Sequence, residues 1–157
     1  MKIDELTNFL YKASQFGYAT GKYKDWVKEN DGSTTISYKD GDWEMSDNFF
    51  GGEPFGGRMI VFYKSKPVWM MVYYGFIKKG VSLSVEKIYK FLQTALSRAS
   101  KEFPLRGPER YTKNGLIYKN RWQGKIDQYF GKEKIFIDNK QIYKAFYSGG
   151  LINLRSG

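Results

Sequence analysis

The stretch SDNFFGGEPFGGRMIVFYKSKPVWMMVYYG, residues 46–75, sets Gly51, Gly52, Gly56 and Gly57 around Pro54 and then runs into dense apolar and aromatic sequence. A glycine cluster of this kind is either a phosphate cradle or a bend between strands. A phosphate-binding loop needs a strand, the glycines, Lys-Ser/Thr and then a helix, because the amides at the helix N-terminus hold the phosphates. GGEPFGGR lacks the Lys-Ser/Thr pair, and an extended apolar run follows where the helix would begin. A dinucleotide fingerprint fails on the same ground. The glycines therefore read as a sharp or bulged inter-strand turn, where positive φ or close backbone approach is required. RMIVFYK and PVWMMVYY then form a hairpin around Ser65-Lys66, and their apolar residues on both faces make them central strands.

Outward from this hairpin the strand signals multiply. TTISY and WEMSDNFF flank Asp40-Gly41, ERYTK and LIYKNRW flank Asn114-Gly115, and EKIFID meets QIYKAFYSG around Asn139-Lys140. Asp-Gly and Asn-Gly supply the positive φ of a two-residue hairpin turn. Two stretches carry helical spacing instead. Ile3, Leu6, Phe9, Leu10, Ala13 and Phe16 form one stripe, which Gly17 is placed to end. Val85, Ile88, Leu92, Ala95 and Ala99 form the other, between an N-cap at Ser84 and a stop at Pro104. Residues 17–32 read as a polar, irregular surface connector.

Shifting the second half back by 74 positions lays Asp40-Gly41 on Asn114-Gly115, Gly57 on Gly131, Phe62 on Phe136 and Gly75 on Gly149. The expectation is an α+β fold of two tandem helix-plus-antiparallel-strand repeats, α-β-β-β-β twice. The repeats would run over about 1–80 and 81–157 and form one pseudo-symmetric domain, 1–157, with both helices covering one face of the sheet. The length of 157 residues suits a single domain with a sizeable core.

Composition excludes more chemistry than it suggests. Cysteine and histidine are both absent, which removes disulfides, thiolate and imidazole metal sites, and every Ser-His-Asp or Cys-His mechanism. No cofactor and no metal is expected. No run approaches the roughly 20 apolar residues of a membrane helix. The acidic start MKIDELTNFL does not resemble a signal peptide, so the expected location is the cytoplasm, with no membrane partner. Asp40, Asp42, Glu44, Asp47 and Glu53 form the one acid-rich neighbourhood, and it reads as a charged hairpin edge rather than a paired-carboxylate or hard-metal site.

Charge is distributed unevenly. Residues 1–80 carry 11 Lys/Arg against 10 Asp/Glu, whereas residues 81–157 carry 15 against 6. Arg98, Lys101, Arg106, Arg110, Lys119 and Arg121, interleaved with Tyr111, Tyr118 and Trp122, are the candidate polyanion-binding set. Phosphate pairing beside aromatic faces is how nucleic acid is held, although a merely solubilising surface has similar composition. Trp122 itself is expected in the core. Trp43, Trp69, Tyr73, Tyr143 and Tyr147 are the candidate lining of a ligand cleft between the two halves.

The Phe-Gly-Gly at Phe50–Gly52, Gly56-Gly57, KPVW at Lys66–Trp69, YYG at Tyr73–Gly75 and YSGGLI at Tyr147–Ile152 resemble an uncharacterised prokaryotic family, catalogued as domain of unknown function 5680. The resemblance covers nearly the whole chain and implies no catalytic residue. Its members often stand alone or behind helix-turn-helix regulators, which implies transcription-associated regulation. The chain is expected to begin directly with its first helix, so DNA reading by such a module does not carry over. Arg58 stands where the family pattern has an acid. The reading favours a non-enzymatic binding or regulatory domain whose partner is a nucleic acid or other polyanion, a small ligand or a protein. The alternative is a histidine-free nuclease using Lys, Arg, Tyr and a carboxylate.

Overall fold

The computed structural model describes residues 1–16 and 26–153. Helix α1 (Ile3–Ser14) precedes strands β1 (Val27–Lys28), β2 (Thr34–Asp40), β3 (Trp43–Gly51), β4 (Phe55–Tyr63) and β5 (Lys66–Ile77). Helix α2 (Val85–Leu96) precedes β6 (Arg110–Lys113), β7 (Leu116–Lys125), β8 (Gln128–Ile137) and β9 (Lys140–Leu151). All nine strands belong to one antiparallel sheet, ordered β1-β2-β3-β4-β5-β9-β8-β7-β6. The residues expected to be central, in β4 and β5, lie at or beside its middle.

The expected α+β pair of tandem α-β-β-β-β repeats is overturned. The chain is mainly one continuous nine-stranded sheet carrying two short helices. Its two stretches of strands are fused where β5 pairs with β9, from Trp69 opposite Leu151 to Ile77 opposite Tyr143. The core under α1 is not confined to one half either. Leu6, Phe9, Leu10 and Ala13 pack with Met45, Val61 and Trp69, but also with Phe103, Leu105, Ile126 and Tyr129. Trp69, fully buried, donates its indole N–H to the carbonyl of Ile126 at 2.8 Å and stacks on Tyr129. A second cluster gathers Ile88, Leu92 and Ala95 of α2 over Tyr118, Ile135 and Tyr143. Turn dipeptides repeated along a sequence report where the chain reverses. They do not report which strands pair or which residues share a core.

Several boundaries also move. The connector expected over 17–32 contains β1, whose Val27 and Lys28 pair with Thr35 and Thr34. Gly17, expected to end the first helix, lies outside the described residues. Helix α2 stops at Leu96, well before Pro104, and the chain turns so that Phe103 and Leu105 can enter the core. Two hairpins turn one residue earlier than expected, at Lys64-Ser65 and Asp138-Asn139, where both residues adopt positive φ. In the glycine stretch, Gly51 ends β3 at φ 78° and Phe55 opens β4, so the cluster is a hairpin turn followed by a strand. Gly57 has a different role: a Cβ there would lie 2.7 Å from the Tyr73 hydroxyl, so only glycine lets that phenol cross the neighbouring strand.

Strand alternation divides the sheet into two unlike faces. The face under the helices holds Met45, Val61, Trp69, Tyr118, Ile135 and Tyr143, all buried. The opposite face carries exposed Phe50, Val72, Tyr74, Phe130 and Phe146, and no helix covers it among the described residues.

Candidate ligand-binding cavity

Between the two helices and the sheet lies a cavity of about 340 Å³. Its walls are mostly apolar: Leu10 and Ala13 from α1, Leu92 and Leu96 from α2, and Met59 and Met71 from the sheet floor. The polar groups Asp47, Tyr73 and Arg106 converge in the lining, which Ser14, Lys28 and Tyr89 also join. Asp47 reaches the cavity because it follows Met45 on the inward phase of β3. Tyr73 is brought beside it by the pairing of β5 with β4, and its hydroxyl donates to Asp47 Oδ1 at 2.6 Å. Burial pushes the Asp47 carboxyl up to about 6, against the opposing influence of the Tyr73 hydrogen bond and the Arg106 charge. Burial, with Asp47 beside it, also raises the Tyr73 phenol well above its ordinary value.

Arg106 is held by a buried polar network. Its Nε donates to Glu133 Oε2 at 3.1 Å and a terminal nitrogen donates to Oε1. The side chain is 11% accessible and that of Glu133 is fully buried. Tyr118 and Tyr143 donate to the same carboxylate at 2.5 and 2.8 Å, so it accepts four hydrogen bonds. Beside it, Asn120 donates to the carbonyls of Leu105 and Gly107 and accepts from Tyr147 at 2.6 Å. A buried ion pair is tolerable when its remaining lone pairs and protons are satisfied in this way. The network pins the 105–107 segment, in which Arg106 takes a left-handed φ of 67°, and sets the guanidinium 5.7 Å from the Tyr73 ring centre.

Of the five aromatic residues expected to line a ligand cleft between the halves, Tyr73 lines this cavity instead. Trp43 stacks on Phe9, Trp69 is core, and Tyr143 and Tyr147 serve the network around Glu133 and Asn120. The six expected polyanion ligands also separate. Arg106 turns inward, drawn by Glu133, and is no part of an exposed patch. Arg98 and Lys101 are exposed in the segment after α2, with the Lys101 ammonium over the Tyr11 ring of α1. Arg110, Lys119 and Arg121 come together on the helix-free face of β6 and β7. Trp122 is partly buried and stacks on Phe103 at 4.2 Å. The acid-rich neighbourhood disperses as well. Asp40 pairs with Lys12, Asp42 lies near Lys64, and Glu53 accepts from the Ile77 amide and the Tyr89 hydroxyl. No group of three or more potential metal ligands occurs among the described residues.

The arrangement is that of a predominantly antiparallel β protein with a mostly apolar cavity between its helices and its sheet. The chain belongs to the family defined by a domain of unknown function, DUF5680, whose model matches residues 47–152. The match begins at the carboxylate of the cavity and leaves out α1, which supplies one of its walls. No curated protein and no solved structure shows significant similarity to the chain. No helix among the described residues is long and apolar enough to cross a membrane.

Proposed function

We propose that this protein binds a small, largely apolar molecule in the cavity between α1 and α2, with a hydrogen-bond-donating group of that molecule directed at Asp47. The observation that carries this reading is the cavity itself: about 340 Å³ of mostly apolar wall with Asp47, Tyr73 and Arg106 convergent in it. Apolar area would supply the affinity, and the Asp47, Tyr73 and Arg106 group would fix orientation. Among the described residues Tyr73 is the one hydrogen-bond donor to Asp47, which leaves the carboxylate acceptor capacity for a ligand. Regulation follows naturally from such a site, because a molecule lodged between the helices would bias how they sit on the sheet.

The nuclease alternative is supported less well. Its perturbed carboxylate would be Asp47, on the helix side, whereas Arg110, Lys119 and Arg121 lie on the other face of the sheet. A scissile phosphate cannot meet both.

A neutral apolar dye that fluoresces in dry surroundings tests the proposal. One saturable site per chain is expected, displaced by small aromatic amines. Met59→Trp, which fills the cavity from its floor, should abolish the signal while the folded far-ultraviolet spectrum persists. Dye binding indifferent to Met59→Trp would refute the reading.

A further inference from the structure

We propose that the helix-free face of β6–β9 is a second, independent site that binds single-stranded nucleic acid, with phosphates along a row of cations and bases stacked on exposed rings. The row is set by strand register. Arg110 lies opposite Lys119, Lys119 opposite Lys134, and Lys134 opposite Lys144, so four cations stand abreast on four consecutive strands. The next rung in the same phase continues the pattern: Arg121 opposite Lys132, Lys132 opposite Phe146, and Phe146 opposite Tyr74. The rung beyond places Gln123 opposite Phe130.

Like charges directly opposite one another destabilise a sheet. A solubilising surface gains nothing by stacking them in register, whereas a polyanion site does. The crowding is felt at Lys134, whose pKa is lowered by partial burial and by Lys144, Lys132, Lys78 and Lys119 around it. The rows also border a concavity of about 910 Å³, lined by Arg110, Lys119, Arg121 and Lys132 with Phe130 and Phe146, and with Glu109 as its one acid.

The aromatic component selects the kind of polyanion. Phe130 is 59% exposed, Tyr74 51% and Phe146 46%. Lys144 lies 4.6 Å from the Phe146 ring centre, so a cation and a bare ring face are presented together. Phosphates pair with the ammonium groups, and an unstacked base covers the ring beside them. A duplex keeps its base faces hidden and would use the cations alone. An apolar protein partner would leave the cation rows unpaired.

The test uses the full chain and a fluorescently labelled thymidine 20-mer, with a uridine 20-mer beside it, read by anisotropy. Binding of either oligonucleotide at about 50 mM salt is expected. If four phosphates are neutralised, raising salt to about 200 mM should weaken it by about 50-fold, from a slope of roughly 0.7 per phosphate. Phe130→Ala with Phe146→Ala, at about 1 kcal/mol or more for each ring, should weaken binding by at least about 30-fold with the salt slope unchanged. Both rings are exposed, so the far-ultraviolet spectrum should not move. Lys119→Ala with Lys134→Ala should flatten the slope. Arg98→Ala with Lys101→Ala, on cations away from this face, should change nothing. Absence of binding at about 50 mM salt would overturn the proposal, as would a duplex bound as tightly as the single strand. So would indifference to the phenylalanine changes, which would leave only a diffuse cationic surface. Binding to anionic vesicles that depends on Phe130 and Phe146, with no oligonucleotide bound, would reassign the face to a lipid surface.

Discussion

Asp47 shows how much one residue's meaning depends on its phase along a strand. By neighbourhood it is one of five acids around a hairpin, and charge alone makes it an edge residue. By alternation it shares the phase of Met45 and Phe49, and that phase points under the helices. The signal was in the sequence, but acid clustering masked it. Arg106 had no comparable local signal: its burial depends on Glu133, 27 residues further on, and on two tyrosines from different strands. Inward placement of Asp47 has a measurable consequence. The carboxyl titrates at about 6 in the folded chain against an ordinary value of 3.8, so the folded state holds the proton more tightly. Its stabilising contribution is complete below about pH 3.8 and is lost as pH rises through about 6. The loss is at most about 3 kcal/mol, reduced by the partial exposure of the group. Asp47→Asn keeps an acceptor for Tyr73 and removes the titration. In urea unfolding, the variant should gain on the wild type between pH 4 and pH 7. A pH-independent difference would mean that Asp47 stays hydrated.

At the scale of elements, hairpins were the legible part and their assembly was not. Asn114-Gly115 is a turn with both residues at positive φ, whereas the turn expected at Asp40-Gly41 falls one residue later, at Gly41-Asp42, with Gly41 alone at positive φ. The pairing of β5 with β9 joins residues about 75 positions apart, and no local pattern encodes it. The apolar spacing of α2 continues to Ala99, three residues past the observed end of the helix at Leu96. What ended the helix was the need to bury Phe103 and Leu105, a tertiary demand that overrides local propensity. The segment after the helix is then tied to β7, β8 and β9 through Arg106 and Glu133. Removing one partner strands the other in a dry site, so Glu133→Ala should cost about 3–5 kcal/mol. Arg106→Met combined with Glu133→Leu should recover part of that loss, since neither charge is then left unpaired. Chemical unfolding of the two variants checks this, and a double variant as unstable as the sum of its parts would contradict it.

For the whole molecule, the decisive feature is that the core cluster under α1 cannot form from one half of the chain. The cluster under α2, whose buried residues all come from the second half, is packed by Phe55 and Ile77 of the first. Trp69 is buried against Tyr129 and bonded to Ile126, while α1 rests on residues from both ends of the sequence. The two stretches of strands share the β5–β9 ladder and expose no natural seam. A chain of this kind is expected to unfold as one cooperative unit, as single domains of about this size usually do. Near-ultraviolet dichroism, which follows the Trp69 surroundings, should therefore lose its signal at the same urea concentration as the far-ultraviolet backbone signal. Two separated transitions would show that the halves hold together on their own. The same logic applies to the fragment 47–152, the part shared with the family. Without α1 it lacks Leu6, Phe9, Leu10 and Ala13, and Met45 lies outside it, so Val61, Trp69 and Met71 lose their cover. That is several large side chains returned to water at about 1.5–3 kcal/mol each, comparable to the whole stability of a domain. The fragment should bind apolar dye broadly and melt without a sharp transition. A fragment that melts as sharply as the full chain would show that α1 is an accessory to the sheet rather than part of its core.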